Sequence, residues 1–290
     1  MNKNSTPLGY VQLANGSMPI HAMNDLLLNY TFENAAHWDG LKQTVNIVIN
    51  AYRKYASDRH KLETRLQPIV GNIMVRTQYQ FLLKNDKKTT RNQDIEITEE
   101  TQAMKYVEFQ NRAESGIDVR ATEYFGLSIG HNKGRPVEQI WLLAEDVDTL
   151  LTGKTFSRHI LKDEATGEVH PGNSGILYVS LPRLANEDTP AGELAQFLMG
   201  KLQDPKDETV NHIANMFNNS FETFKEDKEV VGMLTMEERG MREGLHIGRQ
   251  EGRQEGLAEG IKRIRELMKE GYSYDEAEQK LAEETGAVFA

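Results

Sequence analysis

Apolar positions in the first third of the chain change period, and the change predicts where helix gives way to sheet. Within "DGLKQTVNIVINAYRKY", Leu41, Val45, Val48, Tyr52 and Tyr55 recur every three or four residues. That spacing lines one face of an amphipathic helix. "IVGNIMVRTQYQFLL" (69–83) is β-rich and free of proline, and reads as an extended strand. "QDIEIT" (93–98) alternates strictly, with Asp94 and Glu96 on one face and Ile95 and Ile97 on the other. After the polar "EETQAM", the stretch "KYVEFQNR" (105–112) turns Tyr106, Glu108 and Gln110 one way and Val107 and Phe109 the other. Its apolar pair is expected to face a core and its polar pair a cleft or solvent. Three strands joined by short polar loops predict an antiparallel meander.

Helices and strands interleave in the rest of the chain. "AMNDLLLNYTFEN" reads as a short helix and "IDVRATEYFGLSIGHN" as a longer one. "PVEQIWLLA" (136–144) is nearly continuous in apolar residues, as in a strand buried on both faces. "TFSRHILKDEATGEVHPGNSGILYVSL" holds two strands around a Gly/Pro/Asn turn, and "AGELAQFLMGKL" and "ETVNHIANMFNNSFETFK" are helical. The pattern predicts an α/β fold. Residues 1–20 read as a loose arm, 21–205 as the α/β core, 206–234 as a connecting helix and 235–290 as a separate tail.

The tail has its own period. Gly240, Gly244, Gly248, Gly252, Gly256 and Gly260 recur every fourth residue, partly as "GRQEGRQEG". On a helix they would form one stripe, at a cost of about 1 kcal/mol each relative to alanine. The segment is therefore a charged tether, or a helix whose bare stripe lets a partner approach closely. The second alternative predicts a helix over about 235–268 that orders by self-association, and a homo-oligomer. Beyond it, Ile261, Ile264, Leu267 and Met268 make an apolar face, and "SYDE" (273–276) fits a capping box from Ser273 to Glu276.

Composition narrows the chemistry. Cysteine is absent, which removes disulfides, thiol catalysis and cysteine-ligated metal sites. The eight histidines show no H-x-x-H or H-x-x-x-H spacing, and neither a phosphate-binding glycine loop nor a G-x-S-x-G elbow occurs. The N-terminus lacks the apolar core of a secretory signal, and no run reaches the ~20 apolar residues of a membrane span, so a cytoplasmic location away from membranes is expected. Formal charge is −10, which argues against a general nucleic-acid coat protein. Residues 51–120 are locally different, with 13 Lys/Arg against 10 Asp/Glu and a basic patch at "KNDKKTTR" (84–91).

One constellation stands out against that background. Asp94 and Glu108 fall on neighbouring predicted strands, fourteen residues apart. Antiparallel strands lie about 4.8 Å apart, so a level register would project both carboxylates from one face. Two hard oxygen ligands at that distance suit Mg²⁺, and the Phe109 carbonyl is placed to be a third. Without a cation the two would repel. Asp25 and Glu33, in the first helical region, read as an N-cap and a surface charge.

The order Asp94…Glu108-Phe109-Gln110 resembles the PD-(D/E)XK nuclease superfamily, and more closely its recombination-promoting (Rpn-type), transposase-associated branch, where the motif often reads E-x-Q. "MNDLLLNYTFEN" resembles that branch's opening segment, with Asp25 in place of its acidic residue. "YVEFQN" resembles its core strand and "VRATEY" the following helix, with Arg120 and Tyr124 at matching positions; the "GRQEGRQEG" tail is similar to its Gly/Glu-rich C-terminus. The resemblance spans about 20–205 plus the tail. It implies a mixed central sheet flanked by helices, Mg²⁺ held by Asp94 and Glu108, and DNA cleavage associated with recombination or mobile elements. Gln110 would stand where the superfamily carries lysine, and Arg120 would contribute the positive charge that glutamine lacks. The alternative implied by that substitution is a weak or inactive nuclease fold working as a DNA-associated binding or assembly module.

Overall fold

The computed structural model describes residues 6–13, 16–58, 66–82, 90–99, 104–112, 116–132, 135–162, 164–166 and 174–235, with short pieces between 262 and 281. Two compact units divide the chain after Val230. The first carries a six-stranded sheet of β3 (Ile73–Leu82), β4 (Thr90–Glu99), β5 (Met104–Gln110), β6 (Val137–Leu143), β7 (Phe156–Ile160) and β8 (Gly175–Ser180), in the order β3-β4-β5-β6-β8-β7. The predicted meander is its first half, because β3, β4 and β5 pair antiparallel. β5, β6 and β8 run parallel and β7 closes the far edge antiparallel, so the sheet is mixed.

Helices cover both faces, as a sheet with parallel central strands requires. On one face lies α3 (Ile117–His131), whose Ile117, Ala121, Tyr124 and Phe125 pack with Tyr106, Trp141 and Tyr178. On the other lies α2 (Trp38–Asp58), which buries Leu41, Val45, Val48 and Tyr52 and stacks Tyr52 and Tyr55 on Phe156. α1 (Asp25–Glu33) packs beside it against β3. Asn24 caps α1, accepting the Leu27 N–H at 3.0 Å, so the cap sits one residue before Asp25, the residue expected to serve. Among the described residues no helix is long and apolar enough to cross a membrane.

Two boundaries differ from the sequence reading. Residues 9–20 are not a loose arm. They form a hairpin, β1 (Gly9–Leu13) with β2 (Gly16–Ile20), that buries Val11 and Ile20. Gly9 lets it close on the core, since a Cβ there would collide with the Phe221 ring. Nor is 208–224 a connector. α7 (Glu208–Phe224) is a core helix whose Val210, Ile213, Phe217, Phe221 and Phe224 follow a 3–4 spacing, and it packs on α1 and α2. The signal missed in the hairpin was five-residue strands with one buried side chain apiece. In α7, the apolar stripe itself already marked a core-facing helix.

In the second unit, Ser273 and Glu276 form the predicted reciprocal cap: the Ser273 N–H donates to Glu276 Oε2 at 2.8 Å and the Glu276 N–H to Ser273 Oγ at 3.4 Å. The glycine stripe 240–260 and the basic patch 84–89 lie outside the described residues.

Candidate active site

β4 and β5 pair at Ile97↔Lys105, Glu96↔Tyr106 and Ile95↔Val107. The next step would set Asp94 opposite Glu108, and there the side chains take over from the ladder. Glu108 Oε1 accepts the Asp94 N–H at 3.2 Å, and Asp94 Oδ2 accepts the Phe109 N–H at 2.9 Å. On the β3 side the register runs without a shift from Thr77↔Ile95 to Tyr79↔Gln93. Two backbone amides at a frayed strand pair are thus satisfied by two carboxyl groups.

The alternation predicted for β5 is present, but its environment is not the expected one. Glu108 is 5 % exposed, covered from the α3 side, and β5 is buried on both faces until Gln110. A half-exposed strand was the sequence expectation; the covering helix comes from residues after the strand and could not be placed by alternation alone. Burial pushes both acids up. Glu108 is held well above the ordinary carboxylate range, first by burial and then by the charge of Asp94. Asp94 is raised by burial, against the Phe109 N–H, the hydrogen bond with Glu108 and the charge of Arg120. Coupled this closely, the two acids titrate as a unit.

Arg120 and Gln110 flank the pair. Arg120 rises from the first turns of α3, lays its guanidinium on the Trp141 ring at 5.4 Å, and donates from Nη2 to Gln110 Oε1. Gln110 Nε2 donates to the Arg112 carbonyl at 2.8 Å. Asn111 anchors the end of β5 by donating to the Met23 carbonyl. Beneath, the Tyr106 hydroxyl donates to Glu96 Oε2 at 3.0 Å and accepts from Asn132 Nδ2 at 2.8 Å. Asp25 and Glu33 are not drawn in. Glu33 is an exposed acceptor for the Thr77 hydroxyl at 3.4 Å, and among the described residues no three His, Asp or Glu gather as a metal-binding group. Tyr124 packs its ring 6.1 Å from Trp141 and is a core residue.

The donor set suits a hard cation nevertheless. In an extended strand, the N–H and C=O of one residue leave on the same side, so the Phe109 carbonyl points to the end of the ladder where Asp94 sits. Two carboxylates and a carbonyl satisfy Mg²⁺, which keeps several waters and takes few protein ligands. Comparison with protein-family models, with curated proteins and with solved structures returns no match.

Sequence reasoning missed a second buried charge system, on the opposite face of the sheet. Lys105 Nζ meets Glu99 Oε1 at 2.9 Å, with the two side chains 1 % and 2 % exposed. Arg158 Nη2 meets Glu138 Oε1 at 2.6 Å, and Lys105 and Glu138 are register partners. Arg158 reaches Glu138 across β8 because the intervening residue is Gly175, where a Cβ would lie 3.3 Å from Arg158 Nε. A lone glycine at the start of a β-rich run was the available signal.

Proposed function

We propose that the chain is a Mg²⁺-dependent DNA endonuclease with a PD-(D/E)XK nuclease core, of the recombination-promoting branch and tied to recombination or mobile elements. The observation that carries the reading is the Asp94–Glu108 pair: a buried and a half-buried carboxyl side by side at the end of the β4–β5 ladder, each accepting a backbone N–H from the other's strand. A pair in that state is completed by a proton or by a hard cation. Asp94, Glu108 and the Phe109 carbonyl would hold Mg²⁺, which when bound supplies charge to a phosphate and a more acidic water. Arg120, fixed between Trp141 and Gln110, supplies the positive charge that lysine provides elsewhere in the superfamily. Gln110 orients Arg120.

A second reading, nucleic-acid binding without cleavage, is favoured by one detail. Both ends of the Gln110 amide are engaged by the protein, and the lysine of β5, Lys105, lies on the other face bonded to Glu99. Incubating the full chain with supercoiled plasmid in Mg²⁺ and in EDTA separates the two. Cleavage in Mg²⁺ that disappears in EDTA and in Glu108→Ala supports the first. Cleavage by Glu108→Ala equal to the parent would assign the activity elsewhere. In the same proposal the glycine stripe is a self-association surface; light scattering that finds a monomer for both the full chain and a chain ending at Leu234 would reduce it to a tether.

A further inference from the structure

The carboxyl ends of the three parallel strands form one edge, and the site described above occupies only its β5 end. Gln110 is the register partner of Leu143, and Leu143 of Ser180, so the three stand level on one face of β5, β6 and β8. At about 4.8 Å per strand, Ser180 stands about 10 Å from Gln110. A second polar cluster begins there. The Ser180 hydroxyl donates to Asp146 Oδ1, and Arg183 Nη2 donates to Asp146 Oδ2 at 2.9 Å. The Arg183 N–H returns to Ser180 Oγ at 3.2 Å.

Exposure distinguishes this pair from the ion pairs that only hold the sheet. Arg158 and Glu138 are 5 % and 4 % exposed, whereas Arg183 and Asp146 are 37 % and 29 % exposed. Both Asp146 oxygens are taken by the protein, and Arg183, held through Nη2 with its Nε buried, stays partly exposed as a side chain. A planar, oriented guanidinium is suited to a phosphate, which it meets with two parallel N–H donors. Two cationic side chains separated by about 10 Å along the edge can meet different phosphates of one strand.

We propose, resting on the nucleic-acid reading above, that Arg183 is a second backbone-phosphate contact and that Asp146 and Ser180 are its positioning residues. A DNA strand then runs along the carboxyl edge from Arg120 to Arg183. The test is the salt dependence of binding of a fluorescent 30-base-pair DNA to the full chain in EDTA, where cleavage is suppressed. Arg183→Gln should reduce the slope of log K against log salt by about 1 and weaken low-salt binding roughly tenfold; Arg183→Lys should restore the slope. Asp146→Asn keeps the positive charge but loosens its orientation, so it should weaken low-salt binding by less than Arg183→Gln does, while lowering Tm. An unchanged slope in Arg183→Gln overturns the assignment and leaves the nuclease reading standing. Equal losses of affinity in Arg183→Gln and Asp146→Asn also overturn it, since they mark a structural pair. If Arg183→Gln does not fold, Asp146→Asn decides, and an undiminished low-salt affinity there counts against the proposal. No salt-dependent DNA binding by the parent overturns this inference and the nucleic-acid reading together.

Discussion

The two faces of the central sheet bury charge in opposite ways. On the α2 face, each acid has a base: Glu99 with Lys105, and Glu138 with Arg158. On the α3 face, Asp94 and Glu108 meet each other, and Arg120 is shared with Gln110. Both arrangements are costly to desolvate. Only the second leaves two acids facing each other for a proton or an external cation to balance, which is why the functional reading rests there and not on the paired charges opposite.

The largest effect should come from unbalancing the balanced face. Lys105→Met leaves Glu99 buried without its partner and should cost about 3–5 kcal/mol in urea unfolding. Adding Glu99→Leu should recover most of that loss, because an apolar pair of similar volume replaces the ion pair. A single variant as stable as the parent would show that the α2-face charges are not coupled as the geometry requires.

Removing charge from the unbalanced face should act with the opposite sign. Glu108→Gln removes a charge that burial and the neighbouring Asp94 disfavour, and should stabilise the fold at pH 8 by about 1 kcal/mol while lowering Mg²⁺-dependent cleavage by at least about 100-fold. Gln110→Lys should retain or raise cleavage if lysine can take the role of Gln110.

The pH profile sharpens the comparison further. Asp94 and Glu108 are raised in the fold, and Glu138 is raised from 4.5 to about 7, chiefly by burial against the opposing charges of Arg158 and Lys105. An acid raised in the native state binds more protons there than in the unfolded chain. Its contribution is therefore complete below the unfolded value and lost as pH rises through the folded one. The Glu138 share should fade between about pH 4.5 and 7, and the share of the carboxyl pair should fade upward from the ordinary carboxylate range. In Glu108→Gln, denaturation followed across pH should show a flatter decline. The smallest change is Tyr106→Phe, which removes one hydrogen bond to a Glu96 that also has Arg76 at 3.5 Å; about 1 kcal/mol is expected.

The meander and the pairing of Asp94 with Glu108 were legible because strand alternation is local: the period of two in 93–98 and 105–110 sets which side chains share a face. Burial was not, because it depends on what lies above the strand. Glu108 reads as a cleft residue in "YVEFQ", and only α3 shows that it is covered. The Glu99–Lys105–Glu138–Arg158 row draws on four strands separated by up to 59 residues, and its one local sign was the absent side chain at Gly175. The hairpin at 9–20 was hidden because a two-stranded ribbon gains its stability from the core it lies on, not from its own pattern.

A Mg²⁺ site at the Asp94–Glu108 pair requires the two carboxyls to accept a cation in competition with protons. The direct measurement is thermal unfolding of the full chain at pH 8 and pH 6, with and without Mg²⁺, beside Glu108→Gln and Asp94→Asn. Binding to the native state alone stabilises by about 2.7 kcal/mol at a hundredfold excess over Kd. The parent should show a clear rise in Tm with Mg²⁺ at pH 8, a smaller rise at pH 6 where the proton competes, and neither variant should respond. A rise of the same size in the variants, or no rise in the parent at either pH, would contradict the account.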